Sequence, residues 1–171
     1  MSAEVYKDIF PESYLRQLYG HIMTECPHYF GHTSKQSEKN DESINKWYFC
    51  NLTNDIFLSR SILSFVTDKV NSNLMLGKIY ANIQFAGQEG SFHYDSDRND
   101  TKTAIIMLSE TLKEGSGIFQ IKKEGYENKI ETHNFERNKM LYFKSKLQHK
   151  GFAPLEIGPP RVTLALKMRH V

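Results

Sequence analysis

The spacing of apolar residues along the chain changes near residue 78. Upstream, Leu15, Leu18 and Ile22 recur at helical intervals behind Pro11, with Pro27 as the stop. A second helix is expected from an Asn54 cap, with Ile56, Ile62, Phe65, Val66 and Val70 on one face beside Lys69. Between them, residues Gly31 to Asn45 are almost wholly polar, which predicts a mobile loop.

From Lys78 the period becomes two. Ile79, Ala81, Ile83 and Phe85 fall on one side of a strand, and Tyr80, Asn82 and Gln84 on the other. Such a strand suits a sheet covered by helices outside and lining a polar cavity inside. Thr103 to Leu108 reads as a strand buried on both faces, and Ile118 to Lys122 with Lys129 to Thr132 as a hairpin about Glu124-Gly125. Lys139 to Phe143 and Val162 to Met168 complete the set. Many short strands behind two helices predict a mainly β chain with flanking helices, a sandwich or jelly-roll barrel packed on N-terminal α-helices.

At 171 residues, 39% hydrophobic and 25% charged, the chain fits one domain with a real core and excludes wholesale disorder. A formal charge of +2 does not make nucleic acid the expected partner. Residues 139–171 nevertheless carry seven basic side chains against Glu156 alone. These read as lysines protecting exposed strand edges, or else as a field that favours an anionic ligand. The longest apolar run, Ala104 to Leu108, cannot cross a membrane, and Met1 to Phe10 do not resemble a secretory signal. Cys26 and Cys50 form neither a disulfide framework nor a thiolate metal site, so a soluble, reducing, cytoplasmic setting is expected.

The chemistry concentrates in Gly90-Ser91-Phe92-His93-Tyr94-Asp95. On an extended segment His93 and Asp95 point the same way and can converge on one ion. His149 follows the strand that ends at Phe143, and Arg161 opens the last strand 12 residues later. Two imidazoles and a carboxylate on one face of iron leave coordination positions open for oxygen and a chelating co-substrate. Arg161 and Thr163 share a strand face, so a planar guanidinium and a hydroxyl can reach the same carboxylate.

In this order, and with FAGQEGSFHYD, TAIIMLSE, EGSGIFQI and QHKGFAPLEIGPPRVTLAL around it, the stretch Lys78 to Met168 resembles the Fe(II)- and 2-oxoglutarate-dependent dioxygenases, in particular the small prolyl 4-hydroxylase-like group. The resemblance implies a double-stranded β-helix (jelly roll) over 78–168, supported by a mainly helical region 1–77, within one domain 1–171. It implies Fe(II) on His93, Asp95 and His149, 2-oxoglutarate on Arg161 with Thr163 and Tyr80, and no catalytic group beyond the metal ligands. Reaction with O2 would hydroxylate a C–H bond of a prolyl peptide, an amino acid or another small polar molecule, releasing succinate and CO2.

Ser116-Gly117 stands where the family has paired glycines, and Phe119 where a Thr is common. His21, His28, His32, His133 and His170 have no ligand spacing and read as surface or satisfied core. Trp47, the only tryptophan, reads as a core anchor, with a lid role as the alternative. Two other functions fit the same residues: a cupin-like metal-dependent isomerase or hydrolase that needs no 2-oxoglutarate, and a non-catalytic jelly-roll binding module.

Overall fold

The computed structural model describes residues 2–125 and 129–171. Its elements are β1 (Glu4–Tyr6), α1 (Glu12–Thr24), β2 (Tyr29–His32), a 3-10 turn (Gln36–Glu38), β3 (Trp47–Asn51), α2 (Ile56–Val70), β4 (Leu74–Gln84), β5 (Thr101–Met107), β6 (Phe119–Lys122), β7 (Ile130–His133), β8 (Met140–Lys144), β9 (His149–Gly151) and β10 (Arg161–His170). Seven strands form one antiparallel sheet in the order β1-β8-β5-β10-β4-β3-β2, and three form a second in the order β7-β6-β9.

Both expected helices form, shifted at their ends. Pro11 precedes α1 rather than opening it, and α1 stops at Thr24 before Pro27 is reached. The cap of α2 is Asp55, whose carboxylate accepts from the Leu58 amide at 2.9 Å, rather than Asn54. The first 77 residues are less helical than expected, because β1, β2 and β3 add strands to the large sheet there. Part of the expected loop 31–45 is consequently ordered pairing: His32 is in register with Trp47, and Phe30 with Tyr48. The hairpin expected about Glu124-Gly125 pairs β6 with β7, Lys122 in register with Ile130, and residues 126–128 between them lie outside the described residues.

The alternation of β4 is realised in packing. Ile79, Ala81 and Ile83 join Leu15, Leu18 and Ile22 of α1 and Ile62 and Val66 of α2 in a fully buried cluster on one face of the large sheet. Phe85, just past the strand end, instead stands exposed beside Tyr48. On the opposite face, Ile105, Met107, Leu141, Phe143 and Ala165 pack with Phe119 and Ile121 of the small sheet. Two apolar layers therefore sandwich the large sheet, and the second encloses one end of a polar cavity.

Strand β10 sits at the centre of that sheet, between β4 and β5. Val162, Leu164, Leu166 and Met168 face the helices, while Arg161, Thr163, Ala165 and Lys167 line the cavity. The reading of the C-terminal lysines as edge protection therefore fails for Lys167, which belongs to an interior strand. It fails also for Lys139, buried at 3% exposure just before β8 with its ammonium on the Asn134 carbonyl and on Glu136 Oε1.

Candidate metal centre

Two backbone segments bring the candidate ligands together. His93 forms an isolated antiparallel bridge with His149, donating its amide to the His149 carbonyl at 3.0 Å and accepting from the His149 amide at 2.8 Å. The Asp95 amide is anchored on the Ser145 carbonyl at 2.9 Å. These ties fix the two chain segments before any side chain is placed. The imidazole centroids of His93 and His149 then lie 4.3 Å apart. One ligand atom from each of His93, Asp95 and His149 falls within 4.8 Å of the others. Nε2 of His149 is 3.4 Å from Asp95 Oδ2, and Nε2 of His93 is 3.7 Å from Oδ1.

The tautomers are set from behind. Nδ1 of His93 faces the Ser91 carbonyl at 3.0 Å, and Nδ1 of His149 the Leu147 carbonyl at 2.8 Å. A carbonyl only accepts, so each Nδ1 carries the proton and each Nε2 presents a lone pair to the centre. His149 is 2% exposed, stacked on Phe119 at 5.6 Å and edge-on to Phe143 at 4.9 Å. Burial lowers its pKa to about 3 and lowers that of His93 as well, so both rings are neutral at neutral pH, the form that binds a metal.

Asp95 is the charged member. Burial alone would raise its carboxyl, but the Lys167 ammonium, the His149 ring and the Thr103 hydroxyl together hold it well below the usual carboxylate range. Lys167 donates to Oδ2, as does Thr103 Oγ1 at 2.6 Å, and Thr103 Oγ1 also lies 3.0 Å from Ser145 Oγ. Two neutral nitrogens and one ionised carboxylate within a few ångströms are a donor set suited to a divalent first-row metal.

Across a cavity of about 200 Å³ lies Arg161, 2% exposed. Its Nε donates to the Gly117 carbonyl at 2.9 Å and its Nη1 to Gln84 Oε1 at 2.6 Å, while Nη2 is buried without a partner. Burial lowers its pKa to about 10, which leaves it cationic. Two glycines make room for it. A Cβ on Gly151 would lie 3.3 Å from both terminal nitrogens, and one on Gly117 would meet Cδ at 3.1 Å, at a residue whose φ of +60° already disfavours a side chain. Ser116-Gly117 thus seats the guanidinium, whereas Phe119 backs the His149 ring.

The cavity gathers every residue the sequence singled out: His93, Asp95, His149, Arg161, Thr163 and Tyr80. It also holds Trp47, expected as a core anchor, and His32 and Lys167, to which the sequence assigns no site role. Trp47 is buried as an anchor, but it forms cavity wall and donates from Nε1 to Asn82 Oδ1 at 3.0 Å. His32, which has no ligand spacing, sits edge-on to Tyr80 at 5.2 Å, and burial lowers its pKa to about 4. Lys167 could have been found by extending the alternation Arg161, Thr163, Ala165 by one step; His32 carries no such signal, since only sheet pairing brings it in.

No protein-family model matches the chain, and no curated protein matches it by sequence. Among solved structures it is similar to an oxidoreductase of the 2OG-Fe(II) oxygenase family from Burkholderia pseudomallei, at 12% identity and a TM-score of 0.74 over 98% of this chain and 85% of that one. It is also similar to a prolyl-4-hydroxylase from Pseudomonas putida, at 12% identity and a TM-score of 0.67, covering 99% and 93%. A third is HygX from Streptomyces hygroscopicus, solved with nickel, 2-oxoglutarate and hygromycin B, at 12% identity and a TM-score of 0.62, covering 99% and 83%. At such identities the likeness establishes a shared fold, and this chain has it over nearly its whole length.

Proposed function

We propose that the chain is an Fe(II)- and 2-oxoglutarate-dependent dioxygenase, built as a single domain (1–171) around a double-stranded β-helix (jelly roll), that hydroxylates a C–H bond of a prolyl peptide, an amino acid or another small polar molecule. One observation carries this reading. A buried guanidinium with an unpartnered N–H faces the same cavity as a His-Asp-His cluster whose two imidazoles already present their lone pairs. A metal site alone does not call for Arg161, and an orphaned buried N–H of a cation is costly unless a ligand oxygen satisfies it.

In this assignment His93, Asp95 and His149 hold Fe(II). Arg161 receives the distal carboxylate of 2-oxoglutarate through Nη2, and Thr163, on the same strand face, lends its hydroxyl. Fe(II) bound with 2-oxoglutarate and O2 supplies the oxidant that inserts oxygen into the substrate C–H bond, with release of succinate and CO2. The rest is done by the chain itself. The Ser91 and Leu147 carbonyls orient the imidazoles, and Thr103 and Lys167 keep Asp95 ionised. Trp47 and Phe119 add apolar wall to the cavity. Tyr80, on the wall of the same cavity, offers its hydroxyl for a further hydrogen bond to 2-oxoglutarate. Hygromycin B bound in HygX and a peptide fragment in complex with a prolyl hydroxylase from Trichoplax adhaerens, both of similar fold, support a small-molecule or peptide substrate. No helix among the described residues is long and apolar enough to cross a membrane.

The test is succinate formation from 2-oxoglutarate against prolyl peptides and free amino acids, with Fe(II) supplied and withheld. Succinate that needs Fe(II) and rises with one substrate class supports the reading. Turnover of a substrate that proceeds without 2-oxoglutarate would replace it with a metal isomerase or hydrolase.

A further inference from the structure

Beside the metal centre lies a second recess of about 180 Å³, which shares His32, Thr33 and Tyr80 with the main cavity. Its remaining walls come from Gly31, Lys39, Phe49, Asn51 and Lys78, without one carboxylate. The Tyr80 ring is the meeting point. Lys78 Nζ lies 5.4 Å from its centroid, Lys167 Nζ 5.8 Å, and the His32 ring 5.2 Å. Lys78 and Lys39 have no carboxylate partner among the described residues, and both add to the effect of burial in lowering the His32 pKa. The nearby acids are committed elsewhere. Glu38 takes the Ser91 hydroxyl at 2.8 Å and lies 3.5 Å from Lys35, and Asp95 takes Lys167 and Thr103.

Uncompensated ammonium groups around a concave site with low-dielectric walls focus positive potential where a substrate would enter. The groups are lysines rather than arginines. Compact, mobile point charges can gather round a tetrahedral oxyanion without the planar, bidentate geometry that Arg161 offers. Asn51 adds an amide, and in the neutral form His32 adds one donor.

We propose that the substrate carries a multiply charged oxyanion such as a phosphate monoester, and that Lys39 and Lys78 receive it in the recess beside His32 and Tyr80. This rests on the oxygenase reading for what happens at the metal, and it adds the class of molecule presented there. Lys167 links the two sites, since the same ammonium reaches Asp95 Oδ2 and the Tyr80 ring.

The test uses the full chain, amide NMR and inorganic phosphate, with acetate at matched ionic strength as the planar monoanion. Saturable shifts centred on His32 and Lys78, at least tenfold weaker affinity in the double variant Lys39→Ala/Lys78→Ala, and a change under threefold in Arg161→Ala are expected. Acetate should bind the recess at least tenfold more weakly than phosphate. Shifts that do not saturate, that survive the double lysine variant, or that vanish with Arg161→Ala instead would overturn the proposal. So would acetate binding equal to phosphate. Mn(II) binding followed by EPR on the wild-type and double-variant proteins keeps the two readings apart. Retained Mn(II) binding with no phosphate site rejects the oxyanion and leaves the metal centre standing. Absent Mn(II) binding in the wild type removes the oxygenase reading on which the proposal rests.

Discussion

Arg161 and Lys167 lie six residues apart on the same face of β10, both cationic and both lining the cavity, yet their surroundings differ. Lys167 is matched: its ammonium is shared between Asp95 and Tyr80, and these partners keep it protonated in spite of burial. Arg161 is incompletely matched. It has a backbone carbonyl, an amide oxygen and the Phe135 ring at 5.4 Å, but no carboxylate partner among the described residues and an idle Nη2. A buried cation without a counter-ion is expensive, so the strand invests at this end in something the folded chain does not itself contain. In the proposed assignment, one end of β10 supports the metal ligands and the other receives an anion.

The largest effect should come from breaking the shared centre. His149→Ala removes a neutral donor from a three-ligand set, and Mn(II) affinity measured calorimetrically should fall roughly 100-fold or more. The variant should still fold, with circular dichroism as the check. Next comes the unmatched end. Arg161→Ala should weaken 2-oxoglutarate binding by about 2–3 kcal/mol, the range of a lost charged hydrogen bond, while Mn(II) affinity stays within a few-fold. A KM for 2-oxoglutarate that does not move would remove Arg161 from this role.

The matched end should respond in stability rather than in co-substrate binding. Lys167→Met strips a largely buried carboxylate of its cation, and the metal-free protein should lose about 2 kcal/mol in urea unfolding. Mn(II) should recover much of that loss by supplying the missing positive charge to Asp95. The smallest effect is expected at Gly151. Gly151→Ala sets a methyl 3.3 Å from both terminal nitrogens of Arg161, and 2-oxoglutarate affinity should drop by about 1 kcal/mol, with the metal site untouched. Equal losses at both sites in this variant would mean that the two ends of β10 are not separable.

Much of this contrast was legible in the sequence because it is written in strand alternation. His93 and Asp95 two apart, Arg161 and Thr163 two apart, and the polar face Tyr80, Asn82, Gln84 all follow from period two, and the folded chain puts them in one cavity. What alternation could not give was anything set by pairing between distant strands. β2 and β3 are four and five residues long on either side of a polar stretch, and β9 is three, too short for a period to register. His32 and Trp47 enter the cavity only because β2 and β3 pair with each other and β3 pairs with β4. Lys167 was hidden for another reason: a lysine in a basic tail looks like surface until the topology places its strand at the centre of the sheet.

The most direct test of the account is a calorimetric titration of 2-oxoglutarate into the protein with Mn(II) present and with metal chelated. The account predicts binding that appears only with the metal and falls at least tenfold in Arg161→Ala. Binding that is equal with and without metal, or indifferent to Arg161, would contradict it.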